Sequence, residues 1–242
     1  MQDYFPRGRI NTPLPFQYEK IAFSKYSYNL FYTPRKIKKT LDKFKPDAVI
    51  ITDGYFMKTH IVNYISKYYP VILRFYAYEI YCLKNNLYNN FTAANCDNSI
   101  LADKKLCLKC SKINSIAKTA AKFILSKNIH IAHDFYMSLA NFQFYNERFV
   151  DSLKAAKHII VYNSFFRNIL EKYNPRISTL PTGVDLDFFK PLVDNNHKNS
   201  EFIIFFPGRT NDFVKGFHIL KKAVDILRVK NIRMRVWYTA EN

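Results

Sequence analysis

Two groups of residues in this chain have types and spacings that could do chemistry. The first lies in FFPGRTNDFVKGFHILKKAVDIL, residues 205–227. Gly208-Arg209 follows a short apolar run, and Lys215-Gly216 opens a segment with apolar residues at Phe217, Leu220, Val224 and Leu227. That spacing is the helical period. It predicts a buried strand, a loop carrying two fixed cations, and a helix whose N-terminus faces the same loop. Such a helix end has unpaired N–H groups and a partial positive charge, which favour phosphate. With Arg209 and Lys215 added, the segment is suited to a diphosphate. The second group is Cys82, Cys96, Cys107 and Cys110, spaced C-x13-C-x10-C-x2-C. The closing CxxC is half of a tetrahedral zinc site. Structural zinc, reduced thiols and disulfides in an oxidising compartment all stay open at this level. A catalytic metal is not expected, because no open-site set of His or carboxylate accompanies the cysteines. His130 and His133 stand three apart without an evident partner and read as ordinary surface or interface histidines.

The elements that must position these residues alternate along the chain. Nearly continuous apolar runs at 48–52, 71–76, 159–162, 177–180, 202–206 and 233–238 have the character of buried parallel strands. Helical patterns lie among them at 35–44, 58–67, 113–126, 147–156, 165–172 and 216–230. The alternation argues for an α/β fold with a parallel sheet, whose ligands bind beyond the carboxyl ends of the strands. A polar stretch, KPLVDNNHKNS from Lys190 to Ser200, shifts composition and reads as containing an interdomain linker.

The 242 residues suffice for one large domain or two small ones, and 48% hydrophobic with 23% charged residues is a globular composition. No apolar run reaches the roughly 18 residues of a membrane span, and the N-terminus lacks a signal-peptide apolar core. A cytoplasmic location is the default, and the glycosylation sequon at Asn90-Phe91-Thr92 reads as chance. The formal charge of +18 invites a nucleic-acid reading. The lysines are scattered, however, and no zinc finger, RNP motif or continuous basic helix occurs. Part of the charge is background in a chain rich in Lys, Asn, Tyr, Phe and Ile. The rest suits attraction to an anionic membrane surface, worth about 1 kcal/mol per well-placed cation.

In sequence order, HIIVYNSFFRNIL, ISTLPTGVDLDFFKP and IIFFPGRTNDFVKGFHILKKAVDIL resemble the retaining GT-B glycosyltransferases of the family-4 type. The shared features are a strand leading to Ser164, then Gly183-Val184-Asp185 with Phe189 and Pro191, then Gly208-Arg209 and Lys215-Gly216. Upstream, FKPDAVIITDG is similar to the family's Lys-Pro-Asp strand entry. The likeness spans roughly residues 41 to 238 and is loose before residue 155. It implies a Rossmann-like N-terminal, acceptor-side domain over residues 1–192, a linker at 193–200, and the first strand, helix and strand of a donor-side domain over 201–242. The cysteines fall in an insertion at 80–111, where a subset of these enzymes has a cysteine-bearing insertion.

The same resemblance implies transfer of a sugar from a nucleotide-diphosphate sugar to a hydroxyl of a glycan or lipid-linked acceptor, with retained configuration and no catalytic metal. The setting would be surface polysaccharide or glycolipid synthesis, in the cytoplasm or peripheral to the inner face of the membrane, with no nucleic acid as partner. Arg209 and Lys215 would contact the leaving diphosphate, while Gly208 and Gly183 allow close backbone approach. Asp185 reads equally as a cap of the turn that follows, and Ser164 as a helix N-cap. Two departures stand out. No Gly-rich loop follows a first strand near the start, so a first βαβ portion is expected to be missing. Where relatives with a Cys shortly after the strand have a His six residues before it, this chain has Tyr76, which cannot reproduce imidazole basicity near neutrality. Glu79, the nearest carboxylate, reads as a surface acid. The paired glutamates that hold donor ribose and sugar in the family are expected beyond residue 242, so turnover by this chain should be low. The alternative is a non-enzymatic basic protein that binds membrane or nucleic acid, or an inactive remnant.

Overall fold

The computed structural model describes residues 17–79, 81–111, 116–125, 135, 138, 144–190 and 202–239. Two compact units divide the chain, Met1–Thr182 and Gly183–Asn242. The linker expected at 193–200, Pro191, His130 and His133 lie outside the described residues.

The first unit is built on a four-stranded, all-parallel sheet. Its strands are β1 (Val49–Ile51), β2 (Val71–Arg74), β5 (His158–Val161) and β6 (Ile177–Thr179), in that spatial order. The remaining two, β3 (Tyr88–Asn89) and β4 (Ala94–Asn95), form a small antiparallel hairpin in the cysteine-bearing insertion. Around the sheet run α1 (Tyr32–Phe44), α2 (Tyr55–Ile65), α3 (Lys104–Cys110), α4 (Ile116–Leu125), α5 (Phe144–Ala155) and α6 (Ser164–Leu170). This is an α/β fold with a parallel sheet, compatible with a Rossmann-like arrangement.

The core follows from the apolar periodicities. Met57, Ile61, Val62 and Ile65 of α2 meet Tyr145, Phe149 and Leu153 of α5, and both sets join Leu73, Ile159 and Val161 of the sheet. Helix α1 ends where Lys45 adopts a left-handed conformation (φ 47°) and donates its N–H to the Leu41 carbonyl. Pro46 follows and cannot continue a helix. The Lys-Pro-Asp entry to β1 is therefore a helix stop. Gly54, between β1 and α2, has φ 123°, and a Cβ there would stand 3.2 Å from the Lys58 backbone nitrogen. A glycine is required at that turn.

The second unit is a βαβ element. Strands β7 (Phe202–Phe206) and β8 (Met234–Tyr238) pair in parallel, joined through a 3-10 turn at Phe213–Lys215 and α7 (Phe217–Val229). Of its described residues only Val224 is a buried hydrophobic. The six expected strands all form, each within two residues of its expected ends. The insertion at 80–111 contains the β3–β4 hairpin and leads into α3.

Candidate functional site

In the second unit the two cation-bearing pairs come together. A Cβ built on Gly208 would lie 3.5 Å from the Lys215 Cβ, so the loop folds Gly208-Arg209 back onto Lys215-Gly216. Gly216, at φ 79°, ends the 3-10 turn and serves as the N-cap of α7, with no side chain capping it. The first turn of α7 therefore presents backbone N–H groups beside the loop. Two residues absent from the sequence reading shape this site. Asp212 accepts the Val214 N–H (3.2 Å) and pairs with Arg209 Nη2 at 2.7 Å. One of the two cations is thus held in place by a carboxylate, while its other N–H groups have no partner among the described residues. Thr239, just past β8, donates its hydroxyl to the Gly208 carbonyl at 3.1 Å and ties the loop to the strand end. A Cβ on Gly208 would stand 2.9 Å from the Phe206 ring, so a side chain there would require that ring to shift. Arg209 and Lys215 are both exposed.

Beyond the carboxyl ends of the first unit's strands stand Asp53, Gly54, Tyr76, Tyr78, Glu79, Tyr162 and Asn163. Tyr76 is 48% exposed and lies under the Arg74 guanidinium at 4.6 Å. Glu79 is not a surface acid. It is buried, and its Oε2 accepts a hydrogen bond from the fully buried ammonium of Lys58. Lys58 Nζ also donates to the Thr52 carbonyl (2.8 Å) and the Arg74 carbonyl (3.1 Å), with the Phe75 ring 5.0 Å away. The three ammonium protons have three acceptors. One side chain thereby joins α2, the ends of β1 and β2, and the loop bearing Tyr76. Burial lowers the Lys58 pKa and raises that of Glu79, while their mutual attraction opposes both shifts. A sequence signal for Lys58 exists: it shares the helical stripe of Ile61, Val62 and Ile65, an apolar face where a lone cation needs a partner.

Tyr78 packs edge-on against Tyr162 (5.7 Å) and Phe166 (5.4 Å), giving this edge an aromatic wall. Burial, first, and the neighbouring Tyr78 hold the Tyr162 hydroxyl above the ordinary tyrosine range. The helix cap expected at Ser164 falls one residue earlier. Asn163 has the extended backbone of an N-cap and accepts the Phe166 N–H at 2.8 Å, leaving Ser164 as the first helical residue. Asp185 takes the Asp187 and Phe188 N–H groups on its side chain (2.9 and 3.1 Å), the turn-capping role. A Cβ on Gly183 would meet nothing within 4 Å.

The four cysteines, 82, 96, 107 and 110, are free, partly buried thiols that line one cavity of about 20 Å³ together with Leu83, Tyr88, Asn98 and Leu106. Burial, reinforced by the other three thiols, pushes Cys107 up to about 12. As the side chains stand, no group of three or more His, Cys, Asp or Glu among the described residues could hold a metal ion. No helix among the described residues is long and apolar enough to cross a membrane.

No protein-family model, curated protein or solved structure matches this chain.

Proposed function

We propose that the chain carries part of a retaining glycosyltransferase of the GT-B, family-4 type, with the donor diphosphate held in the second unit. The observation that carries this reading is the folding of Gly208-Arg209 onto Lys215 at the uncapped N-terminus of α7. The one-directional order of β1, β2, β5 and β6 also fits one half of a doubly wound sheet. In the reaction, the bond from the sugar's anomeric carbon to the diphosphate breaks and a bond to an acceptor hydroxyl oxygen forms. The acceptor proton is lost, and negative charge builds on the departing diphosphate. Arg209 and Lys215, with the α7 N–H groups, stabilise that charge more in the transition state than before it. Asp212 orients the Arg209 guanidinium while leaving other donors for phosphate oxygens. Tyr76 and the aromatic edge around Tyr78 stand on the acceptor side, and an anionic inner membrane surface attracts the basic chain. Catalysis in this reading needs no metal.

The test is binding of UDP, GDP and ADP to the 242-residue chain, followed by the fluorescence of Trp237, its only tryptophan. Affinity for at least one diphosphate is expected, with Lys215→Ala weakening it about tenfold, as for one charged hydrogen bond. Unchanged affinity in Lys215→Ala and in Arg209→Ala overturns the diphosphate assignment. Binding of anionic vesicles or nucleic acid that falls steeply with salt, with no response to any nucleotide, favours the basic binding protein instead.

A further inference from the structure

We propose that Cys82, Cys96, Cys107 and Cys110 form the four-thiolate site of one structural zinc ion. The thiols come from three separate pieces of backbone. Cys82 lies in the turn closed by the Asn85 N–H to Cys82 carbonyl bond (2.8 Å), and Cys96 follows β4, its N–H held by the Leu87 carbonyl (2.7 Å). Cys107 and Cys110 sit one turn apart on α3. All four nevertheless line one cavity of about 20 Å³. A space of that size takes a single water-sized sphere, which suits one ion. Four sulfurs and no oxygen or imidazole among them is a soft, tetrahedral donor set that suits zinc.

Groups around the sulfurs are those that thiolate ligands need. Lys84 Nζ gives two hydrogen bonds to the Tyr88 carbonyl (2.9 Å) and Asn90 Oδ1 (2.6 Å) and turns toward Cys110 Sγ at 4.0 Å. Asn98 Nδ2 donates to Cys107 Sγ at 3.4 Å. Such outer donors stabilise metal-bound sulfur and fix its orientation. Within the insertion the backbone is left-handed at Asn85, Leu87 and Ala93, yet only Leu83, Ile100 and Leu108 supply buried apolar anchorage between residues 82 and 110. An ion bonded to all three pieces supplies the anchorage the core does not.

Binding is balanced: one Zn²⁺ displaces four thiol protons to solvent, leaving a tetrathiolate of net charge −2 beside Lys84. As the side chains stand, the sulfurs are not at ligand distances from a common point. Coordination of one ion by all four would tie the β3–β4 hairpin and the Cys82 turn to α3 around the space they share.

The experiment is metal analysis of the full chain, purified without a metal-affinity tag under reducing conditions. About one zinc per chain is expected, a single tetrahedral ion. A thiol-specific mercurial should release it only as all four cysteines react. Cobalt substitution should give the intense visible bands and thiolate charge transfer of a tetrahedral sulfur site. Cys82→Ser and Cys107→Ser should each drop the zinc to well below stoichiometry. Because either variant could misfold, the mercurial and cobalt measurements on the unmodified chain stand independently. Absence of zinc with four freely reactive thiols overturns the proposal. So do two disulfides found by mass under non-reducing conditions, or full zinc retention by a folded Cys82→Ser variant.

Discussion

Replacing Glu79 by Gln removes one charge from the buried ion pair of the first unit and leaves shape and an acceptor oxygen in place. The Lys58 side chain is 0% exposed and that of Glu79 8%, so water cannot take over the lost partner. An ammonium without its counter-ion then remains against the Phe75 ring, facing only neutral acceptors, the Thr52 and Arg74 carbonyls and the introduced amide oxygen. Breaking a buried pair in this way costs about 3–5 kcal/mol. That is a large share of the roughly 5–15 kcal/mol available to a domain. Lys58→Met should lose a similar amount, because it isolates the carboxylate and removes the donor from the Thr52 and Arg74 carbonyls. In the double variant Lys58→Met, Glu79→Gln no charge is stranded. Its loss should shrink to about 1–3 kcal/mol, the penalty of carbonyls left without a donor. Urea unfolding followed by far-ultraviolet circular dichroism reads the cycle. Trp237 is unsuitable, since it reports on the second unit. A cost below about 1 kcal/mol for Glu79→Gln, or single-variant effects that simply add in the double, refutes the reasoning.

Three further outcomes are expected. His60 of α2 is held down to about 4, first by burial and second by Arg148, so it stays neutral in the folded chain where the unfolded chain protonates. Stability should therefore fall as pH drops from about 6.5 to about 4, by at most about 3 kcal/mol, and His60→Gln should flatten that slope in pH-dependent unfolding. Gly208→Ala should destabilise the second unit by about 1–3 kcal/mol through its contact with the Phe206 ring, and a compensating Phe206→Leu should recover most of the loss, both followed by Trp237 fluorescence. The nucleotide-binding comparison of Lys215→Ala with the unmodified chain separates a phosphate ligand from a merely solvated lysine.

The strands and most helices were legible because each reports its own burial locally. Val71, Leu73 and Phe75 face the core, as do Ile159 and Val161, and the helical stripes of α2 and α5 meet over them. The Gly208 to Lys215 approach was also legible, since an amphipathic helix beginning just past a glycine fixes where the loop must return. What the sequence hid depends on partners distant in the chain. Glu79 looks like any acid until Lys58, twenty-one positions earlier, is carried across the ends of two strands to meet it. Thr239 on Gly208 is of the same kind. Asp212 was a smaller omission: a short-range acid that caps the 3-10 turn and takes Arg209 with it. The Asn163 cap was misplaced because Asn and Ser stand side by side and either can cap a helix.

The strand order has a consequence for how the first unit assembles. β1 and β2, and likewise β5 and β6, are joined by one short crossover each, but the neighbours β2 and β5 are separated by everything between Arg74 and His158. That loop is about four to six times longer than the other two, which adds roughly 1.5 kcal/mol of closure entropy. Two early-forming halves, β1–α2–β2 and α5–β5–α6–β6, should therefore dock late across the β2–β5 seam. The insertion makes up a large part of that connection, so a ligand that compacts residues 80–111 should speed refolding as well as brace the finished unit, which stopped-flow refolding with and without the ligand reads.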